Sequence, residues 1–336
     1  MGYLKYLLAF ILPALAFLGF EWGGVYSYFT LLFAFGVIPF FEWKWKPVHS
    51  NLQAESVKKK FWFKVLLYLT LPVQLFLIYY FFSAQLDAKV SMFTWIGNFS
   101  AMGIMCGVFG INVAHELGHS PKFMDSLVAR ILLSTSLYMH FYVEHNKGHH
   151  KWIGTLQDPA TARKNESVYA FWFRVIPGSY LSAWKISRNE CKRKNRSLFF
   201  SETLIYSIFQ LAICLFIYVW NPLALLSFVI AALLGMILLE TVNYIEHYGL
   251  TRNKVNENRY EQVAPQHSWN SDHILGRAVL FELSRHSDHH ANAERPFQDL
   301  RSLESSKQLP FGYPAMMVLA LVPERWFKVM NPLLTD

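Results

Sequence analysis

The sequence predicts an all-α integral membrane protein: six transmembrane helices beneath a histidine-rich cytoplasmic cap. Three observations carry this reading. Of 336 residues, 53% are hydrophobic and only 16% charged, whereas a soluble domain carries about a quarter charged residues. Six apolar runs approach the ~20 residues that a bilayer requires. Nine of the thirteen histidines fall in four short clusters, at the ends of apolar runs or in polar connections.

The predicted spans, in order, are Tyr3–Phe20, Trp22–Phe41, Phe61–Ser83, Phe93–Ala114, Thr203–Val219 and Pro222–Ile245. The first run has no small-residue cleavage site and leads directly into the second, so it reads as a span and not a removable signal. Spans 1 and 2 are joined by a short segment without Lys or Arg. Spans 2 and 3 are joined by a segment holding Lys44, Lys46, Lys58, Lys59 and Lys60. The connection before span 4 has only Lys89. The long connection to span 5 is basic throughout, from Lys122 and Arg130 to Arg193, Lys194 and Arg196. Trp220 and Asn221 separate spans 5 and 6, and Arg252, Lys254 and Arg259 follow span 6. This asymmetry places both termini and both large connections in the cytoplasm. It also accounts for the formal net charge of +8 without invoking nucleic acid. Ile131–Val143 is too short to cross and reads as an interfacial or re-entrant helix. Asn189–Ser197 reads as a solvated, charged stretch. The chain is one membrane-embedded unit over residues 1–336, with polar segments 115–200 and 246–336.

The clusters are His115-Glu-Leu-Gly-His119, Glu144-His-Asn-Lys-Gly-His-His150, Asn243-Tyr-Ile-Glu-His-Tyr-Gly249 and Arg285-His-Ser-Asp-His-His290. His115 and His119 are four apart, as are His145 and His149. His286 stands three from His289 and four from His290. Such residues share a helix face, so each cluster can aim its imidazoles at one point. Neutral imidazole binds iron, zinc and copper. Nine ligands, His115, His119, His145, His149, His150, His247, His286, His289 and His290, exceed one coordination sphere and imply two metal ions. By the predicted topology all four clusters face the cytoplasm at one depth. His49 and His140 read as structural. His267 and His273 read equally as supporting or surface groups.

Other metal chemistries fit less well. His115-Glu-x-x-His119 matches a zinc-protease signature, but such a site needs one further ligand, not seven. Carboxylate-bridged di-iron bundles need two Glu-x-x-His motifs and two further glutamates, and only Glu116-x-x-His119 qualifies. Glu116, Glu144, Glu246 and Asp288 are therefore expected to orient imidazoles from behind, with Asp158 and Asp272 as weaker candidates. Cys106, Cys191 and Cys214 form no Cys-x-x-Cys pair and read as buried free thiols. With no flavin or nicotinamide fingerprint and no cysteine cluster, electrons for redox chemistry must come from another protein.

The chain resembles the membrane-bound alkane 1-monooxygenases, within the histidine-rich membrane hydroxylases and fatty-acid desaturases. The resemblance rests on Asn243-Tyr-Ile-Glu-His-Tyr-Gly-Leu250, on the second cluster with Asp158-Pro-Ala, and on Arg285-His-Ser-Asp-His-His-Ala291. Gln262-Val-Ala-Pro, His267-Ser-Trp-Asn-Ser and the stretch Trp326–Pro332 extend it. The segment around His247 separates alkane hydroxylases from desaturases. The resemblance implies six spans and a non-haem di-iron site with nine histidine ligands. It also implies electrons from rubredoxin and its reductase, and a bacterial inner-membrane location. The implied reaction is O₂-dependent terminal hydroxylation of medium-chain n-alkanes to primary alcohols. Ser120 stands where the family commonly has a basic residue, and Ala293–Gln298 is less basic than usual. These departures bear on donor docking, for which Lys147, Lys151, Arg252 and Arg295 are the candidates. A xylene-type hydroxylase or fatty-acyl desaturase is the enzymatic alternative. A metal transporter is the non-enzymatic one, but transporters hold their ionisable groups near midplane, not at span ends.

Overall fold

The computed structural model describes residues 2–51, 57–87, 89–257 and 259–334. The side chains of Lys58 and Lys59 lie outside the described residues.

Six helices have the length and apolarity to cross a membrane: Tyr3–Trp22, Gly24–Lys44, Lys60–Gln85, Met92–Gly118, Glu202–Trp220 and Pro222–His247. Their starts follow from local chemistry. Ser91 accepts a hydrogen bond from the Thr94 N–H, Ser201 from that of Leu204, and Asn221 from those of Leu223 and Ala224. Each side chain satisfies donors that a first turn leaves open. Pro222 at the first position of span 6 has no N–H to lose. The chain is thus a multi-pass membrane protein.

Span 4 is the centre of the bundle. Most of it is buried (83%), against 17–39% for the other five. Its closest neighbour is span 6. Gly103 and Gly107 of span 4 face Ala231, Leu234 and Gly235 of span 6. A Cβ on Gly235 would stand 2.5 Å from Cys106 Cβ. Small residues four apart allow this approach, as they do in membrane helix pairs generally. The contact brings the ends bearing His115 and His247 together.

The expected helix Ile131–Val143 is not one helix. Phe123–Ser134 is helical, Leu137 adopts a left-handed backbone (φ 50°), and the chain becomes helical again at Phe141. The turn dips into the bundle. Gln74 of span 3 donates to Thr135 Oγ1 at 3.3 Å, Ser136 donates to the Cys106 carbonyl at 3.1 Å, and the Met139 N–H donates to Gln210 of span 5 at 2.6 Å. Irregular backbone is tolerated at membrane depth only when protein groups satisfy it, as here. The run read as one interfacial or re-entrant helix is thus two helices joined by a turn packed against spans 3, 4 and 5.

Two further features depart from the sequence reading. Val168–Arg193 is a 26-residue helix, so the solvated, charged stretch from Asn189 begins as its largely exposed last turn. The helix was hidden because its apolar residues are interrupted by charge. Of the three thiols, Cys106 and Cys191 are buried, while Cys214 on span 5 is partly exposed.

Candidate metal centre

Four segments bring the clusters together. Span 4 ends with His115 and His119. Residues 141–152 follow the re-entrant turn and carry His145, His149 and His150. Span 6 ends at His247, and the short helix His286–Ala291 carries the last three.

The nine imidazoles form two groups. One holds His115, His119, His145, His150 and His289; the other holds His149, His247, His286 and His290. Within each, the facing ligand atoms all lie within 4.8 Å of one another. In the group of five, His115 and His289 are 2.9 Å apart between Nε2 atoms, His289 and His150 3.2 Å, and His145 and His150 2.9 Å. In the group of four, His149–His290, His290–His286 and His286–His247 are 3.2, 2.8 and 3.2 Å apart. Imidazole nitrogens bound at ~2.1 Å to one ion would stand about 3 Å apart. The groups are adjacent, with the His150 and His290 rings 4.4 Å apart.

The sequence clusters do not map onto these groups one to one, contrary to the expectation from helical spacing. His145–His149 is a π-helical turn. Its wider winding, with hydrogen bonds to the fifth residue, aligns His145 with His150 and turns His149 toward the other group. Such single-turn bulges concentrate at functional sites. In the helix His286–Ala291, His286 and His290 share a face, and His289 faces the group of five.

Protonation favours metal binding. Burial, and then the neighbouring imidazoles, push His145, His150, His286, His289 and His290 well below the ordinary histidine range. Burial brings His119 down to about 4. These rings are neutral at pH 7, and neutral imidazole is the coordinating form. His149 is the exception. Burial lowers its pKa, but the Asp158 carboxylate more than offsets this and raises it. Asp158 Oδ2 lies 2.9 Å from His149 Nδ1. The carboxylate accepts the Nδ1 proton and leaves the inward Nε2 lone pair free. Imidazole nitrogens facing one another at 2.8–3.2 Å in each group suit a cation held between them.

The other acids are placed differently from expectation. Glu116 accepts from the Phe297 N–H, Glu144 from Ser182, and Asp288 from Arg295, Asn292 and the Arg301 N–H. Among the described residues, none of these three hydrogen bonds to a cluster imidazole. Burial and then Asp158 push Glu144 up to about 8. Glu246 does approach an imidazole, but at the inward atom: its Oε2 is 3.2 Å from His286 Nε2. An orienting group would hold Nδ1, so Glu246 stands with the ligand atoms. Tyr313 donates to its other oxygen at 2.8 Å. The weaker candidate Asp158 is the one that orients, buttressed by Thr161 and the Ala160 N–H. Asp272 instead binds His49, Ser302 and Arg285.

The remaining histidines stay outside both groups. His49 binds Asp272, His140 packs on Tyr138 and Tyr180, His267 caps Ala264, and His273 meets Ser271.

Residues 89–320 match the fatty acid desaturase family. Over 94% of its length the chain is 35% identical to the alkane 1-monooxygenase of Ectopseudomonas oleovorans, covering 80% of that protein. It is 36% identical to alkane 1-monooxygenase 1 of Alcanivorax borkumensis, over 89% of this chain and 75% of that one. The chain belongs to the alkane 1-monooxygenase family. It is therefore a monooxygenase, with metal-binding histidine clusters. A xylene/toluene monooxygenase hydroxylase component of Pseudomonas putida is more distant, at 24% identity over 100% of this chain and 90% of that one.

The structure adds a residue whose role the histidine spacing does not reveal. Arg285 is buried beside His286, gripping Asp272, the Leu300 carbonyl and the Ser50 carbonyl. It thereby fixes the helix that bears three histidines. Its position inside the fourth motif was the available signal. The expected docking cations are mostly engaged. Lys147 binds Glu190 and Glu202, Arg295 binds Asp288, and Arg252 binds the carbonyls of Glu261, Lys151 and Ile153. Among the described residues only Lys151 of the four is exposed with no ion pair or hydrogen bond from its ammonium, which lies over Trp152.

An apolar cavity lies in the bundle beside this centre. Leu12, Ala34, Val108, Leu238, Val279 and Met317 line it, and it extends to Asn112 and Leu283. Those two residues also wall a small cavity against His115 and His289.

Proposed function

We propose that the chain hydroxylates the terminal carbon of medium-chain n-alkanes. It would do so with two non-haem irons, one in each imidazole group, O₂, and electrons from a rubredoxin served by its reductase. The observation that carries the reading is an apolar cavity in the bundle that shares Asn112 and Leu283 with a second, small cavity walled by His115 and His289. An alkane partitions into lipid and offers nothing to an acid or base, so it needs an apolar path to an oxidising metal.

The bound irons would supply the oxidising power that an unactivated C–H bond demands, from O₂ and two electrons. The chain does the rest. The cavity wall excludes water and holds the alkane extended. Asn112, fixed by donating to the Leu280 carbonyl at 3.1 Å, and Leu283 stand between that cavity and the imidazoles, where a chain end would approach. Asp158 keeps His149 in one tautomer, and Arg285 holds the last cluster in register.

The positive-inside asymmetry supports a bacterial inner-membrane protein with both termini and the metal centre toward the cytoplasm. On that face Leu156 is 86% exposed. Lys151, Lys185 and Arg193 share a groove with it. This apolar knob with a basic rim suits an acidic small electron carrier.

The test is product analysis. Purified protein with iron, rubredoxin, reductase, NADH and ¹⁸O₂ is given n-alkanes of graded length. A primary alcohol carrying one labelled oxygen is expected, and only when rubredoxin is present. An alkene, or turnover without rubredoxin, contradicts the reading.

A further inference from the structure

Tyr138 is fully buried on the re-entrant turn. Its hydroxyl donates to Glu240 Oε1 at 2.5 Å. Glu240, on span 6 and 1% exposed, takes a second hydrogen bond on Oε2 from Asn243. Neither residue belongs to an imidazole group. A buried ionisable group within a span is costly and marks a functional element by default.

The Tyr138 ring continues toward the metal centre. It stacks on Phe141 at 5.5 Å between centroids and 22° between planes. Phe141 stacks on His145 at 4.7 Å and again 22°. His145 is one of the group of five. A phenol with a dedicated proton acceptor is thus joined to a candidate ligand by one parallel aromatic ring. Tying the turn to span 6 would need the hydrogen bond but not this stack.

We propose that Tyr138 and Glu240 form a redox relay that drains the metal centre when O₂ has been activated and no C–H bond is within reach. The inference rests on the di-iron reading above. One electron would leave the Tyr138 phenol by way of Phe141 and His145 for the irons held there; two such transfers, with two protons from water, would discharge the activated oxygen atom as water. The phenolic O–H bond breaks, and its proton forms a new O–H bond at Glu240 Oε1. The neutral tyrosyl is restored by one electron from the rubredoxin-class donor, and Glu240 returns the proton. The relay protects the imidazoles from self-oxidation. Tyr313 is the competing phenol, through Glu246. Among the described residues it makes no ring contact with an imidazole.

The experiment is uncoupled turnover of the iron-loaded protein with rubredoxin, reductase, NADH and O₂. A perfluorinated alkane fills the cavity, because its C–F bonds cannot be hydroxylated. Freeze-quenched samples should give a tyrosyl signal by electron paramagnetic resonance, narrowed by ring-deuterated tyrosine. Tyr138→Phe should abolish it, and Glu240→Gln should diminish it while the phenol remains. With a true alkane, Tyr138→Phe should keep the initial rate and lose total turnovers before inactivation. A wild type that hydroxylates normally yet shows no tyrosyl, or a signal that persists in Tyr138→Phe, overturns the proposal. Should both variants fail to fold, spin trapping and peptide mapping of the wild type decide. An adduct at Tyr138 supports the relay, and one at Tyr313 or elsewhere overturns it. A wild type that hydroxylates no alkane strikes the di-iron reading first, and the relay falls with it.

Discussion

Asp158 Oδ2 stands 2.9 Å from Nδ1 of His149, and both side chains are fully buried. The carboxylate accepts the Nδ1–H hydrogen bond and so favours the tautomer whose inward nitrogen carries the lone pair. Partners of this kind typically contribute 10–100-fold to metal affinity or activity. Asp158→Asn removes the charge and leaves a side chain of similar shape. It should weaken iron retention or turnover about 10–100-fold, measured by iron content after dialysis and by alcohol formation. Unchanged retention and rate would mean that His149 needs no such partner.

Much of this centre was legible in the sequence. The six spans, the four clusters and the convergence of nine imidazoles all follow from hydropathy and spacing. What was not legible depends on backbone winding and on long-range contacts. Helical spacing assigns His145 and His149 to one face, but the π-helical turn separates them. Motif proximity nominated Glu116, Glu144, Glu246 and Asp288 as supports, whereas adjacency in sequence does not decide where a carboxylate points. Asp158, outside the cluster itself, reaches back because its loop turns at Thr155 and Gly154. Arg285 lies inside the fourth motif, but its grip on Asp272, Leu300 and Ser50 is long-range, and Tyr313 meets the centre from a segment that no local pattern links to it.

The close approach of spans 4 and 6 carries a stability prediction. Gly235→Leu should drive the helices apart, since even the first added atom would stand 2.5 Å from Cys106 Cβ. Overpacking of this kind costs about 1–3 kcal/mol, and a rigid backbone contact belongs at the upper end. Thermal unfolding in detergent should shift to lower temperature, with loss of metal. An unaltered midpoint would show that the pair is not closely packed.

The cavity carries a selectivity prediction. Val108→Phe adds a ring to its wall, beyond Asn112 from the imidazoles. The variant should lose activity on the longest alkanes first and keep it on shorter ones, read as relative rates across a chain-length series. A uniform loss at every length would place the substrate elsewhere.

Donor docking carries a charge prediction. Lys151→Glu reverses an exposed cation that makes no ion pair among the described residues. It should raise the rubredoxin concentration needed for half-maximal rate, and added salt should shrink the difference, because surface charges are screened within about 8–10 Å. Arg295→Gln should act differently, through Asp288, with little dependence on salt. Equal salt dependence for the two variants would remove Lys151 from the docking face.

The most direct measurement is the metal content of the purified, reconstituted chain, read beside that of His119→Ala and His247→Ala. Five imidazoles in one group and four in the other predict two irons per chain in the wild type. Each variant should lose iron from one site while keeping most of the other. One tightly bound zinc per chain, or a single iron that both variants abolish together, would contradict the di-iron account.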